Sequence, residues 1–173
     1  MHTKITALAS MQSSTRVFVE ALDGVSDAQW VLRPSDQEWS LAETVEHVVL
    51  TNRLILAALG RARAAPISAD ARRFDDAAIS DAMFRDAGPA PGLAEPTGCF
   101  ATRADGVAAL GASCDAIATW TGQAREDLRM HGLPHPVFGL FDGVQWILFS
   151  AAHTDNHVPQ LRALRALPEL ASA

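Results

Sequence analysis

Residues 40–59 read SLAETVEHVVLTNRLILAAL, and this stretch has the apolar repeat of an amphipathic helix. Its apolar residues recur at intervals of three and four, which places them on one helical face. Ser40 and Glu43 form the pattern S-x-x-E, in which each side chain bonds the backbone amide of the other at the start of a helix. The stretch therefore predicts a long helix that begins after Ser40 and packs one side against a core.

Three other segments have the same periodicity and predict three further helices. They run from Leu8 to Leu22 before Gly24, from Val107 to Leu128, and from Trp146 to Leu164 before Pro168. No comparable stretch alternates with period two, so we expect no sheet. The sequence thus predicts an all-α fold, a four-helix bundle that forms a single domain over residues 1–173.

The connections between the predicted helices differ in length. A short loop that contains Trp30, Pro34 and Trp39 joins the first two, whereas residues 64–101, rich in proline and glycine, separate the second and third. A short helix around residues 76–84 is expected inside this segment. A connection of this length allows the second and third helices to run in the same direction, as in bundles with a long crossover. The segment 131–143 is too rich in proline and glycine to be helical.

Composition indicates a folded globular protein and argues against nucleic-acid binding. Apolar residues make up 49% and charged residues 20% of the 173 residues, and the formal net charge is −6. A surface that follows phosphates needs clustered lysine and arginine, which an acidic chain of this kind does not suggest. No stretch approaches the roughly 20 apolar residues of a membrane span. We therefore expect a cytoplasmic protein without nucleic-acid or membrane partners, in which Cys99 and Cys114 are free thiols.

His153 and His157 stand four residues apart on the inward face of the fourth predicted helix. At that spacing two imidazoles lie one above the other and can reach one metal ion at about 2.0–2.1 Å. The alternative is a pair of core histidines bonded to the backbone or to neighbouring side chains. His47, in the middle of the second predicted helix, is either a half-buried surface residue or a third ligand. His135 precedes Pro136 in a loop and is expected to cap or brace the turn.

Two longer stretches of the chain resemble the DinB superfamily, also described as YfiT-like metal-dependent hydrolases. They are EWSLAETVEHVVLTNR (38–53) and HPVFGLFDGVQWILFSAAHTDNHVPQL (135–161). The shared pattern is a tryptophan and a serine before the second helix, a histidine within it, an HP-x-FG loop, and a helix with H-x-x-x-H-x-x-Q. The order and separations of these features agree over most of the chain.

The resemblance implies a four-helix bundle with a long crossover and one metal site formed by three histidines. Carried over by position, the ligands are His47, His153 and His157, and His135 braces the start of the fourth helix. Three imidazoles suit zinc, nickel, iron or manganese equally. Asn156 departs from the pattern, because the family commonly has a basic residue just before its last histidine.

Three neutral imidazoles leave a divalent ion its full charge and at least one open coordination position. No carboxylate lies at a spacing typical of a general base. Glu43, Thr51, Asp155 and Asn156 are near enough in sequence to contact the ligands. Members of the wider superfamily include transferases that use low-molecular-weight thiols. The resemblance therefore implies a small-molecule substrate and a metal-dependent thiol S-transferase of this kind, or a hydrolase.

Two further interpretations remain open. The protein is alternatively a non-catalytic metal-binding or stress-response bundle, in which a fourth ligand such as Glu43 or His135 closes the coordination sphere. Leu50 and Leu56 lie away from the inward stripe of the second helix, so we also expect a homodimer. The simplest interpretation is a helical dimer that binds no metal.

Overall fold

The computed structural model describes residues 2–68, 70–86 and 92–168, and it is mostly helical. Its α-helices are α1 (Lys4–Glu20), α2 (Asp27–Val31), α3 (Leu41–Ala62), α4 (Ala78–Asp86), α5 (Arg103–Gln123) and α6 (Gly143–Arg165). Two strands, β1 (Gly132–His135) and β2 (Gly139–Asp142), and two 3-10 turns, Gly92–Ala94 and Leu128–Met130, occupy the connections. The four long helices α1, α3, α5 and α6 correspond to the four predicted segments, which confirms the helical fold class.

The long helices pack around a shared core. α1 contacts α5 and α6, and α3 contacts the same two helices. A chain of buried polar contacts joins all four: Thr15 contacts the thiol of Cys114, Asn52 donates to Ser113, and Ser150 donates to Asn52 at 2.7 Å. Each contact forms only when its two helices have the right position along their axes. Together the contacts therefore help to fix the positions of the helices relative to one another. The bundle topology and the direction of its crossover stay predictions.

The connection between α3 and α5 is as long as predicted and contains the expected short helix. α4 begins at Ala78 and contacts α6. The segment after the turn Gly92–Ala94 returns along α3 toward α5. Residues 69 and 87–91, which include the predicted loop residues Pro89 and Pro91, lie outside the described part of the chain.

The prediction that the chain contains no sheet is wrong, because β1 and β2 form a small antiparallel hairpin. Gly132 pairs with Asp142 and His135 pairs with Gly139 across it. Gly139 has a φ of 84°, the left-handed conformation that closes a three-residue hairpin loop. The strands are only four residues long and Pro134 interrupts β1, so they carry no alternating pattern that sequence reasoning could detect.

The end of α5 and the structure of the first connection also differ from the prediction. α5 ends at Gln123 rather than near Leu128, because Ala124 is extended and Asp127 caps a separate 3-10 turn. The first connection contains α2, which starts at Ser26 with a capping box and fully buries Trp30. In the predicted fourth helix, α6 continues through Pro159 without a break.

Leu50 and Leu56, on which the homodimer prediction depends, are half-buried in the monomer. No helix among the described residues has the length and apolarity that crossing a membrane requires.

Gly106 and Gly111 provide a matched pair within α5. A Cβ atom on Gly106 would lie 2.6 Å from Cζ2 of the buried Trp30, whereas one on Gly111 would meet nothing within 4 Å. We expect Gly106→Ala to lower the free energy of unfolding by about 1–3 kcal/mol through overpacking. Gly111→Ala should raise it by up to about 1 kcal/mol, because alanine favours the helix over glycine. Urea denaturation of both variants measures the difference, and equal effects would contradict the close packing of α2 on α5.

Candidate metal centre

Three histidines from two helices meet inside the protein. His47 comes from the middle of α3, and His153 and His157 come from successive turns of α6. His47 and His153 are buried, and His157 is half-buried. The start of α3 is fixed by the predicted capping box, in which Ser40 accepts from the amide of Glu43 and Glu43 accepts from the amide of Ser40. The cap fixes the residue at which α3 begins, and with it the position of His47 along the helix axis.

The three imidazoles point their Nε2 atoms toward one another. Nε2 of His153 lies 3.0 Å from Nε2 of His47 and 3.4 Å from Nε2 of His157. The three ring centroids are 4.7–5.0 Å apart. One ligand atom from each residue lies within 4.8 Å of those of the other two, and in the described part of the chain no fourth His, Cys, Asp or Glu belongs to this group.

Hydrogen bonds fix the tautomer of two of the rings. Nδ1 of His47 lies 2.7 Å from the carbonyl oxygen of Ala94, and Nδ1 of His157 lies 2.8 Å from Oε1 of Gln160. Both partners only accept, so each Nδ1 carries the proton. The neutral rings therefore present the lone pairs of their Nε2 atoms to the centre of the cluster, which is the arrangement of a metal ligand with an outer hydrogen bond.

All three imidazoles favour the neutral form. Burial lowers the pKa of His47, and this outweighs the opposing effect of the Ala94 carbonyl. Burial, together with the charges of His157 and His47, places the pKa of His153 well below its usual value. Burial lowers the pKa of His157 to about 4 despite its bond to Gln160. At neutral pH the cluster is therefore uncharged, and its nitrogens are free of the protons that compete with a cation.

The spacing of the nitrogens fits a divalent ion. Ligand distances of 2.0–2.1 Å separate two nitrogens by about 3.3–3.4 Å in a tetrahedron and by about 2.9 Å in an octahedron. The two Nε2 separations that involve His153, 3.0 and 3.4 Å, lie within this interval. The outer bond is present for His47 and His157, whereas Nδ1 of His153 is buried without a hydrogen-bond partner among the described residues. The donor set therefore fits, with one ligand less firmly oriented than the others.

Comparison with known proteins identifies the family of the chain. The family model of the DinB superfamily matches residues 11–161. The chain belongs to the DinB superfamily. It is also 27% identical over 148 residues to the uncharacterised protein YuaE of Bacillus subtilis (strain 168), an alignment that covers 83% of this chain and 88% of the relative. No solved structure gives a significant match.

In this DinB superfamily protein, two of the candidates for contacts around the ligands, Glu43 and Asp155, have other partners. Glu43 caps α3 and pairs with Arg33 at 3.3 Å. Asp155 is half-buried and bonded to Ser14 of α1. His135 is not part of the cluster: its Nδ1 lies 3.2 Å from the backbone nitrogen of Val137 in the hairpin loop, as expected of a residue that braces the turn.

The residues that hold the cluster were largely missed by sequence reasoning. In the sequence, Gln160 stands out only as part of the H-x-x-x-H-x-x-Q motif. Trp39, whose ring lies 4.9 Å from that of His47, stands out only as part of the DinB pattern. The Ala94 carbonyl carries no sequence signal at all. It belongs to the long connection, which reaches α3 only in the folded protein.

Glu46, beside His47, ties that connection to α3. Its buried carboxylate accepts from the Thr97 hydroxyl at 2.9 Å and from the amides of Gly98 and Cys99 at 2.7 and 3.0 Å. Burial acts to raise the pKa of Glu46, but these hydrogen bonds outweigh it and lower the pKa overall. Glu46 therefore anchors the loop that brings the Ala94 carbonyl to His47.

We expect Glu46→Gln to destabilise the protein by about 1–3 kcal/mol, because an amide cannot accept all three bonds that the carboxylate accepts. Faster hydrogen exchange at the amides of Gly98 and Cys99 should accompany the loss of stability. The matched control is Glu95→Gln, which removes an exposed acid from the same loop. Unchanged exchange in Glu46→Gln would contradict the anchoring role.

The metal-free protein should lose stability as the pH falls from about 6.5 to about 4. Over this range the unfolded chain protonates an imidazole at position 157, whereas the folded protein, with a pKa of about 4, does not. This difference contributes up to about 2 kcal/mol of destabilisation at pH 5. Chemical denaturation in EDTA at pH 7 and pH 5 should show a smaller loss for His157→Gln than for the wild type. An equal loss in the two proteins would be inconsistent with a buried, neutral His157.

Proposed function

We propose that His47, His153 and His157 together bind one divalent metal ion and that the protein is a metal-dependent enzyme acting on a small molecule. The observation that carries this proposal is the convergence of three Nε2 atoms, two of them held as lone-pair donors by acceptors on their Nδ1 atoms. An uncharged set of three nitrogens suits zinc, nickel, iron or manganese. When bound, such an ion supplies Lewis acidity, with which it polarises a carbonyl group or lowers the pKa of a water or thiol.

The protein residues supply the environment for this chemistry. Burial keeps the histidines neutral, and the Ala94 carbonyl and Gln160 hold two of the rings in place. In the described part of the chain, neither cysteine and no carboxylate joins the histidine group. The reacting nucleophile is therefore best supplied by the substrates rather than by a side chain.

Among reactions whose nucleophile comes from a substrate, we propose a thiol S-transferase that uses a low-molecular-weight thiol, the activity that the family resemblance implies. In this reaction the thiol sulfur forms a bond to an electrophilic carbon, the bond from that carbon to its leaving group breaks, and the thiol proton departs with the leaving group. Hydrolysis, with water in place of the thiol, is the second reaction that the same site supports.

A non-catalytic metal-binding bundle is the alternative. It requires a fourth ligand that closes the coordination sphere, and both candidates are engaged elsewhere. Glu43 caps α3, and His135 lies in the hairpin. The position left by the three histidines is thus better suited to a substrate.

Metal content tests the site directly. Protein purified without a chelating tag should contain about one divalent ion per chain. We expect His153→Ala to lose most of this metal, whereas His135→Gln, which changes a partly buried histidine outside the cluster, should retain it. Equal metal content in wild type and His153→Ala would refute the three-histidine site.

The reaction is tested with the metal-loaded protein, 1-chloro-2,4-dinitrobenzene and, in separate assays, glutathione, mycothiol and bacillithiol. Thioether formation with release of chloride should depend on the metal and stop after treatment with EDTA. If the metal-replete protein turns over none of these thiols, the transferase assignment fails and the hydrolase and non-catalytic alternatives remain.

A further inference from the structure

A recess lies beside the histidine cluster, between the loop that precedes α3 and the last turns of α6. Its volume is about 290 Å³, close to the lower size of known small-molecule sites. Trp39, Leu164 and Leu167 form apolar parts of its wall, and Gln160 and Glu38 contribute polar groups.

Two residues of this wall touch the candidate metal ligands directly. The Trp39 ring lies 4.9 Å from the ring of His47, and Oε1 of Gln160 lies 2.8 Å from Nδ1 of His157. An occupant of the recess would thus contact the partners of two of the three histidines. The recess is therefore placed to sense or to position a molecule next to the cluster.

The charge of the wall limits what can bind. The described residues that line the recess include the acid Glu38 but no lysine, arginine or histidine. Arg33 is already engaged, because it donates to the backbone oxygens of Asp36 and Glu38 and pairs with Glu43. An anion would therefore leave water without gaining a cationic partner, and it would be repelled by Glu38.

We propose that this recess binds a small molecule with a flat apolar group and no negative charge. The flat group packs against Trp39, and a cationic group, where present, faces Glu38. A hydrogen-bond acceptor on the molecule takes an N–H of the Gln160 amide. Because that bond polarises the amide, it strengthens the bond from Oε1 to His157 and so couples the recess to the cluster. The coupling rests on the proposed metal site, whereas binding in the recess does not.

Three probes of the same shape test the charge preference: benzamide, benzamidine and benzoate are neutral, cationic and anionic. Dissociation constants are measured by titration of the metal-free protein with ligand-observed NMR. We expect benzoate to bind about two- to tenfold more weakly than benzamidine, from attraction in one case and repulsion in the other. Trp39→Leu should weaken all three probes by about three- to tenfold, through loss of the aromatic contact.

Glu38→Gln isolates the role of the acid. It should reduce the ratio of the benzamidine and benzoate affinities below the ratio measured for the wild type, whereas Asp115→Asn, an equal change of charge at an exposed position on α5, should leave that ratio unchanged. Equal affinities of the three probes for the wild type, or binding unaffected by Trp39→Leu, would overturn the proposed site.

The coupling is tested with Co²⁺ in place of the native metal. Benzamide, which has an acceptor oxygen, should shift the visible absorption bands of the Co²⁺ protein. Benzamidine has no such acceptor and should shift them less at equal occupancy. In Gln160→Leu the shift by benzamide should disappear at concentrations that saturate this variant. A shift of equal size in Gln160→Leu would overturn the coupling.

Failures of the two proposals can be distinguished. A protein that takes up no Co²⁺ but binds the probes with the expected charge preference would refute the metal site and the coupling, and would support the recess. A protein that binds Co²⁺ but none of the probes would refute the recess and leave the proposed function standing.

Discussion

The meeting of three imidazole nitrogens at one point is the constraint on which the rest of the site depends. With protons held on Nδ1 of His47 and His157, the two Nε2 atoms that face His153 are both lone pairs. Without a cation, His153 can donate a proton from Nε2 to only one of them, and the lone pair of the other then has no donor within the cluster. An unsatisfied buried group of this kind costs about 1–3 kcal/mol. A bound cation satisfies all three inward nitrogens at once, which is why the arrangement suits metal binding better than a hydrogen-bonded core.

The elements around the cluster hold this unfavourable arrangement in place. α3 starts at a capping box, and α6 starts at Asp142 with a second one. Arg129 bonds Asp142 and also Asp76, so the start of α6 is tied to the segment before α4. The buried contacts among Asn52, its partners on α5 and Ser150 then fix α3 relative to α6 within two turns of the histidines. These contacts hold α3 and α6 in position, and their stabilisation offsets the free-energy cost of bringing three neutral imidazoles to one point.

The same architecture explains why the occupant of the recess is expected to carry no negative charge. The cluster is neutral, and the neighbouring recess is apolar with one acid in its wall. A site of this kind orients a molecule by shape and by a few hydrogen bonds rather than by attraction between opposite charges. Trp39 and Gln160 connect the two regions, so an occupant of the recess would contact residues that also contact His47 and His157.

The sequence alone determined the helical segments, because their apolar repeats and the S-x-x-E cap are local patterns. It also determined that His153 and His157 share one face of a helix, since a separation of four residues places them there whatever the helix packs against. The short α2 and the hairpin escaped prediction, because elements of four or five residues carry too little periodic signal. The early end of α5 escaped it because apolar residues continue at helical spacing as far as Leu128. Only the tertiary structure decided that His47 meets the pair on α6, and the family resemblance had to supply that expectation beforehand. The Ala94 carbonyl, the Glu46 anchor and the recess beside Trp39 depend on where a forty-residue connection and two loops come to rest. Such contacts join residues far apart in the chain, so no local pattern records them.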